Sequence, residues 1–467
     1  MIDGENVGPA TVDHLVFHTY ALFKTLGLNG GGQVIPIHKR GMASLVEVWL
    51  PYGRTEVAVK VPDENLLGVI DGKAQAGAVN PAKEVDDALE NPLSSPKLDA
   101  VAKAGATVAI VVDDKTKPTP THLMLTALLN RLGRLGVRDK DVTVIFGCGA
   151  HTMTEAEGEA ILGEALRSRI RVHIHDCVAS DLEYVGETSF GTKVTVNKAF
   201  LDADVRILTG DIALHYYAGY SGGRKSLLPA IVGLDAIRHN HAFLVDPKAT
   251  TGNLEGNPVH LDMEEALHLV DVDLALNVVL NAQRDVVKAF AGDVDAVFHE
   301  GVQVVKDLCT APVASPSEIV VVSPGGFPFD IDLYQAYKGL DAALQVVKEK
   351  GVVVLVAECV EGYGNKVFHD WMVRYASLAS IRRELQRNFV VGGHKAYYYL
   401  KALGKVRIIL VSVMPDYYAA GVFKLRTAKT VNAALTAALR LTGRQGKILV
   451  LPHGSTTFPA LTLPKEA

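Results

Sequence analysis

The run Gly219-Tyr220-Ser221-Gly222-Gly223-Arg224-Lys225-Ser226 sets glycines directly beside a lysine. Glycine lets a backbone approach an anionic group closely, and the lysine adds an amine next to it. A nucleotide phosphate loop of the GxxxxGK[ST] kind is excluded, because Arg224 stands where the second glycine must be. Taken alone, the run reads equally as a surface turn with a solvated lysine. Histidines gather around it. His215 precedes Lys225, His239 and His241 follow it, and His151 closes the glycine-bearing stretch from Gly147. Neutral imidazole is both a general base and a metal ligand, so this set suits proton transfer, metal binding or both. His239 and His241 supply at most two ligands of a zinc site, and spacing names no third or fourth. His173, His175, His260 and His268 read as surface or hydrogen-bonded structural residues.

Two more clusters carry polar chemistry. Asp113-Asp114-Lys115-Thr116-Lys117-Pro118-Thr119-Pro120 follows an apolar run and opens a helical pattern whose first turn can bind an anion. Further on, Pro324-Gly325-Gly326 ends another apolar run, and Asp332 precedes a helical pattern carrying Tyr334, Gln335 and Lys338. Residues four apart share a helix face, so these side chains can project together.

The elements that must position these groups alternate between strand and helix. Thr107 to Val112 predicts a strand, Pro118 to Leu132 a helix, Val142 to Phe146 a strand, Met153 to Ser168 a helix, and Arg171 to His175 and Val205 to Thr209 strands. A helix near Leu261 to Leu269 and a strand from Leu274 to Val279 close this set. After Pro312 and Pro316 a second set begins. Its strands are Glu318 to Ser323, Val352 to Ala357, Val406 to Ser412 and Lys447 to Leu451, with helices at Leu333 to Lys350, Leu378 to Arg387 and Lys429 to Leu441. Such alternation predicts an α/β protein: two α/β domains with mostly parallel sheets facing an interdomain cleft. The expected divisions are an N-terminal extension over 1–41, a cofactor-binding domain over 42–311 and a Rossmann-like domain over 312–467. The extension, with a weak helical pattern from Val12 to Leu26, reads as flexible or as a start assigned too early, the folded part beginning near Met42.

Composition narrows the partners. Of 467 residues, 48% are hydrophobic, enough for more than one core. No apolar run reaches the roughly 18 residues of a membrane span. Lys and Arg total 47 against 52 Asp and Glu, with no basic stripe, which argues against nucleic acid. The four cysteines are far apart and form no CxxC pair, so a reducing cytoplasm is expected.

In their order along the chain, these motifs resemble the nickel-dependent lactate racemase family, from about Leu45 through Leu451. They are Leu50-Pro51-Tyr52-Gly53, the Asp-Asp-x-Thr-x-Pro-Thr-Pro loop, Gly147 to His151, His215 to Lys225, His241, Tyr334-Gln335-x-x-Lys338 and Gly392-Gly393-His394-Lys395-Ala396. The resemblance implies an isomerase that inverts C2 of a 2-hydroxy acid by reversible hydride transfer to a nickel-pincer nucleotide. It implies that Lys225 tethers this cofactor, that His241 ligates nickel, and that His151 and His215 are the acid/base pair. Asp114, Gly222, Gly223, Tyr334 and Gln335 would lie against the cofactor, and Lys117, Gln335 and Lys338 against the substrate. Cofactor-biosynthesis proteins would be the maturation partners. One position departs from the family: Lys117 stands where lactate racemases carry an arginine that clamps the substrate carboxylate. An ammonium cannot reproduce a planar two-bond fork, which points to a substrate larger than lactate, such as an aldonic acid. Lactate racemase proper and a non-catalytic cofactor carrier are the alternatives. A carrier would have no use for two bases.

Overall fold

The computed structural model describes residues 35–37 and 44–462. The expected extension over 1–41 and its Val12 to Leu26 pattern lie outside these residues, apart from a short strand. That strand, Ile35–Ile37, pairs antiparallel with the start of Leu45–Tyr52.

The first lobe is built on a six-stranded sheet. Its order is Val286–Gly292, Leu274–Leu280, Val205–Asp211, Val108–Asp113, Val142–Gly147 and Arg171–Ile174, all parallel except the Val286–Gly292 edge. Val108–Asp113 is buried along nearly its whole length, as expected of an unbroken apolar run covered on both faces. Thr121–Arg134 packs on the sheet through Met124, Leu125, Leu128 and Leu132. The helix expected over Met153 to Ser168 is divided into Glu155–Leu162 and Glu164–Arg167. Gly163, with φ of 74°, turns the chain between them.

The second lobe carries another six-stranded sheet, entirely parallel. Its order is Arg426–Thr427, Arg407–Val411, Val347–Val356, Ser317–Val322, Ile448–Leu451 and Leu66–Val69. Leu333–Val346 stops short of the expected Lys350, because Val347 already begins the next strand. Leu66–Val69 reaches this sheet from the far end of the sequence. The hairpin of Leu45–Tyr52 and Thr55–Pro62 packs beside it, its Val48, Leu50, Val59 and Val61 joining Ile319, Val354 and Leu435. Residues 45–69, expected in the first domain, are therefore built into the second. The first lobe is inserted within it, and the two chain crossings touch where Lys73 N–H donates to Leu308 O at 2.8 Å.

In the first sheet, the chain leaves Val108–Asp113 toward one edge through Val142–Gly147 and Arg171–Ile174. It then returns to lay Val205–Asp211 on the other side. Neighbouring strands whose connections depart in opposite directions open a crevice at their carboxyl ends. Asp113, Asp114 and Lys117 follow one of these strands; Asp211 and His215 end or follow the other. Among the described residues, no helix is long and apolar enough to cross a membrane.

Candidate active site

Asp114, just beyond its strand, is buried and holds two partners. Its Oδ1 accepts from Thr116 N at 2.9 Å and Thr116 Oγ1 at 2.5 Å, and its Oδ2 accepts from His151 Nδ1 at 2.9 Å. Burial alone would raise its pKa. The His151 hydrogen bond and charge, with the Thr116 bonds, outweigh burial and hold the carboxyl below its ordinary range. Directed by that bond, His151 keeps Nε2 free to exchange a proton, and its side chain is 45% exposed.

His215 stands opposite with Nε2 3.3 Å from Lys225 Nζ. Ala218 N–H donates to His215 Nδ1 at 3.3 Å, which puts the proton of the neutral ring on Nε2. The lysine therefore faces a donor, and only a neutral amine can accept from it. Burial pushes the Lys225 amine well below its ordinary value, helped by Lys117 and Arg224; burial with Lys225, Lys117 and Lys338 pushes His215 down as well. Lys225 is thus a nucleophilic amine in this fold.

His241 lies within Leu234–Ala242 and is buried. Asn240 Nδ2 donates to Val259 O and Asp262 Oδ2, which turns its Oδ1 to accept from His241 Nδ1 at 3.0 Å. His241 Nε2 is left with its lone pair, as a metal ligand requires. His239, two positions earlier, points elsewhere and bonds Phe190 O at 3.0 Å. The pair does not form a zinc site, and no three metal-binding side chains gather elsewhere among the described residues.

The Gly222-Gly223 turn is closely packed from within the fold. Both residues have positive φ, and a Cβ would strike Ile212 from Gly222 and Phe298 from Gly223 at 2.7–2.8 Å. Gly223 N–H is donated to Asn277 Oδ1 at 2.8 Å, so it is not available to an anion. Arg224, which breaks the phosphate-loop pattern, is buried and pins the turn. It bonds the carbonyls of Ala218 and Tyr220, donates to His260 Nδ1 at 3.0 Å and stacks on Phe298. His260, expected to be structural, anchors Lys225 indirectly in this way.

Leu333–Val346 of the second lobe presents Tyr334, Gln335 and Lys338 on one half-buried face, Asp332 capping the helix through Gln335 N–H at 2.7 Å. Sequence reasoning left several neighbours without a role. Asp211 accepts from Thr119 Oγ1 at 2.9 Å and pairs with Lys117 at 3.5 Å. Carboxylates Asp211, Asp113 and Asp114 overcome burial and raise the Lys117 ammonium above its ordinary range. Tyr216 stacks on His215 at 5.1 Å and bonds His394 Nε2 at 2.9 Å; Lys395, also buried, sits 4.0 Å above its ring. The Gly392 to Ala396 motif, expected only as part of a resemblance, is thus what the second lobe sets against the base. A tyrosine directly beside His215 in sequence was the available signal.

Comparison with known proteins bears on the chain as a whole. Residues 52–252 match the family model for a lactate racemase N-terminal domain, and residues 313–458 that for a lactate racemase C-terminal domain. The lactate racemase of Thermoanaerobacterium thermosaccharolyticum is 31% identical over 421 residues, covering 88% of this chain and 98% of that protein. The lactate racemase of Lactiplantibacillus plantarum is 30% identical over 423 residues, covering 88% and 99%. The solved lactate racemase apoprotein from T. thermosaccharolyticum superposes with a TM-score of 0.83 at 30% identity, over 89% of this chain and all of that one. A Thermotoga maritima protein shares the fold at a TM-score of 0.62 and 18% identity, over 83% and 100%.

Proposed function

The chain belongs to the lactate racemase family and is an isomerase, and we propose that it inverts C2 of a 2-hydroxy acid larger than lactate, with a nickel-pincer nucleotide tethered through Lys225. When bound, that group supplies a nickel centre and a reversible hydride acceptor beside the substrate. The residues fit it: Lys225 offers an unprotonated amine for the tether, and His241 offers an Nε2 lone pair for the metal.

His151 and His215 are the two proton-exchanging groups, one for each enantiomer. Asp114 holds His151 by Nδ1, so that Nε2 can take the hydroxyl proton of one enantiomer and return it. His215 is kept neutral by burial and nearby ammoniums, and it serves as base for the other enantiomer in the tautomer that carries its proton on Nδ1, reached once the ring gives up the Ala218 N–H contact. A cofactor tethered at Lys225 would take up the amine that His215 Nε2 faces and leave this edge of the ring to the substrate. Lys338 and Gln335 approach from the second lobe, Lys338 to hold the carboxylate. Maturation by cofactor-biosynthesis proteins belongs to the same reading.

The observation that carries the proposal is the Lys225 amine held 3.3 Å from His215 Nε2 on the turn that Arg224 pins. Intact-mass and metal analysis of protein matured with the cofactor-building enzymes tests it. The expected result is an adduct and about one nickel per chain, both lost in Lys225→Ala, with nickel alone reduced in His241→Ala. Chiral chromatography of lactate, malate, phenyllactate and gluconate then ranks substrates. Absence of both adduct and nickel from the matured protein would overturn the proposal; fastest turnover of lactate would remove its substrate clause.

A further inference from the structure

Lys117 is not a bare cation. Its Nζ lies 3.5 Å from Asp211 Oδ1, and that oxygen also accepts from Thr119 Oγ1 at 2.9 Å. Among the described residues, Asp211 Oδ2 accepts no hydrogen bond, and Lys117 Nζ has no other acceptor. A free acceptor and free donors therefore stand side by side. Lys338, by contrast, has no carboxylate within ion-pair distance among the described residues, and burial lowers its pKa. An anionic head group is better matched to Lys338, whose charge is uncompensated, than to Lys117, whose charge Asp211 already offsets.

A cavity of about 320 Å³ opens beside Lys117, lined by Asp114, Lys115, Lys117, Thr119, Thr121 and Glu157, with Ala160 and Ile161 as its apolar part. This is near the lower end of the ~300–1,000 Å³ range of small-molecule sites. Its charges are matched internally, Lys115 with Glu157 at 2.6 Å and Asp114 with His151. A second carboxylate would find no unpaired cation there. Hydroxyl groups fit, since each can donate to a carboxylate and accept from an ammonium.

We propose that Lys117 and Asp211 form a donor–acceptor pair that reads vicinal hydroxyls on the substrate, steering a neutral polyhydroxylated tail into the cavity beside the Asp113–Pro120 loop while Lys338 holds the carboxylate. This rests on the reading of the chain as a 2-hydroxy acid isomerase and adds the class of acid. Asp211 is then a specificity-determining residue, and the lysine at 117 is a consequence of the same selection: an ammonium can share a diol with Asp211 where a guanidinium fork would close on its carboxylate.

The test compares lactate, glycerate and gluconate with matured holoenzyme and its Asp211→Asn variant, by kinetics and by calorimetric binding. In the parent, gluconate and glycerate bind at least tenfold tighter than lactate. In Asp211→Asn they lose at least tenfold more than lactate does, mainly in KM; nickel content and adduct mass stay at parent values. Equal binding of all three acids by the parent, or equal losses in the variant, overturns the proposal. Calorimetric selectivity is read without turnover, so it survives even if no acid is interconverted, a result that would instead remove the isomerase reading. Should Asp211→Asn fail to fold, Lys117→Met is read by the ratio of gluconate to lactate affinity, which falls at least tenfold if the pair reads the diol and stays at the parent value if it does not.

Discussion

The two lobes build their halves of the cleft from different materials. In the first, functional groups stand on strand-end loops or, for His241, in the last turn of the helix Leu234–Ala242, each fixed by a hydrogen bond to a charged or amide partner: His151 by Asp114, His241 by Asn240, Lys117 by Asp211. In the second, they stand on the helices Leu333–Val346 and Gly393–Lys405 and are fixed by rings. Lys395 lies over Tyr216, Tyr334 and Tyr337 at 4.0–4.8 Å, and His394 packs between Tyr216 and Phe389. Directional bonds fix protonation states and tautomers, which proton transfer needs. Stacked rings tolerate small sliding and exclude water, which suits a wall that closes on a bound molecule. The first lobe is thus organised for chemistry and the second for enclosure.

That division is broken most severely if a base in the first lobe is dispensable. His215→Ala in matured protein should lower kcat by roughly 10²–10⁴-fold with nickel content unchanged; retention of full turnover, read by chiral chromatography, would contradict it. Asp114→Asn leaves His151 in place without its orienting carboxylate, and a loss on the order of 10–100-fold in kcat with little change in KM is expected.

Acid should act on both lobes together. Burial pushes His215, His241 and His394 well below the ordinary 6.5. Each is neutral in the fold and takes a proton on unfolding, so stability falls as pH drops below 6.5, by up to about 1.4 kcal/mol per imidazole per pH unit. Asp114, its pKa lowered in the fold, adds a loss in the same direction at still lower pH. Denaturant titrations between pH 7 and 5 check the slope, and a flat profile would mean these imidazoles are solvated. The smallest effect sharpens the comparison best. Tyr216→Phe removes only the hydroxyl that meets His394, worth about 0.5–1.5 kcal/mol. If the second lobe serves enclosure, KM rises several-fold while kcat holds; a fall in kcat alone would give Tyr216 a chemical role.

Much of the first lobe was legible because its signals are local. Unbroken apolar runs mark Val108–Asp113 and Val142–Gly147, and the histidines and Lys225 stand out by type and spacing. What stayed hidden depends on partners far away in sequence. Leu66–Val69 is four residues long, contains Gly68 and has no alternation, so only its pairing with Ile448–Leu451 makes it a strand. Tyr216 and His394 meet across 178 positions. Asp211 lies just past the expected strand Val205 to Thr209 with nothing local to mark it, and its pairing with Lys117 emerges only once two strands distant in sequence lie side by side. The packing of the Gly222-Gly223 turn was hidden for another reason: a glycine pair announces close approach but not by what, and here Ile212 and Phe298 are among the approaching groups.

The bond from Lys73 to Leu308 joins the only two places where the backbone passes between lobes among the described residues. A body hung from one thread can swivel freely, but one hung from two adjacent threads can only rock about the line through them. The jaws therefore share a spine, and His151 is the most open of the four histidine and lysine groups assigned to the chemistry.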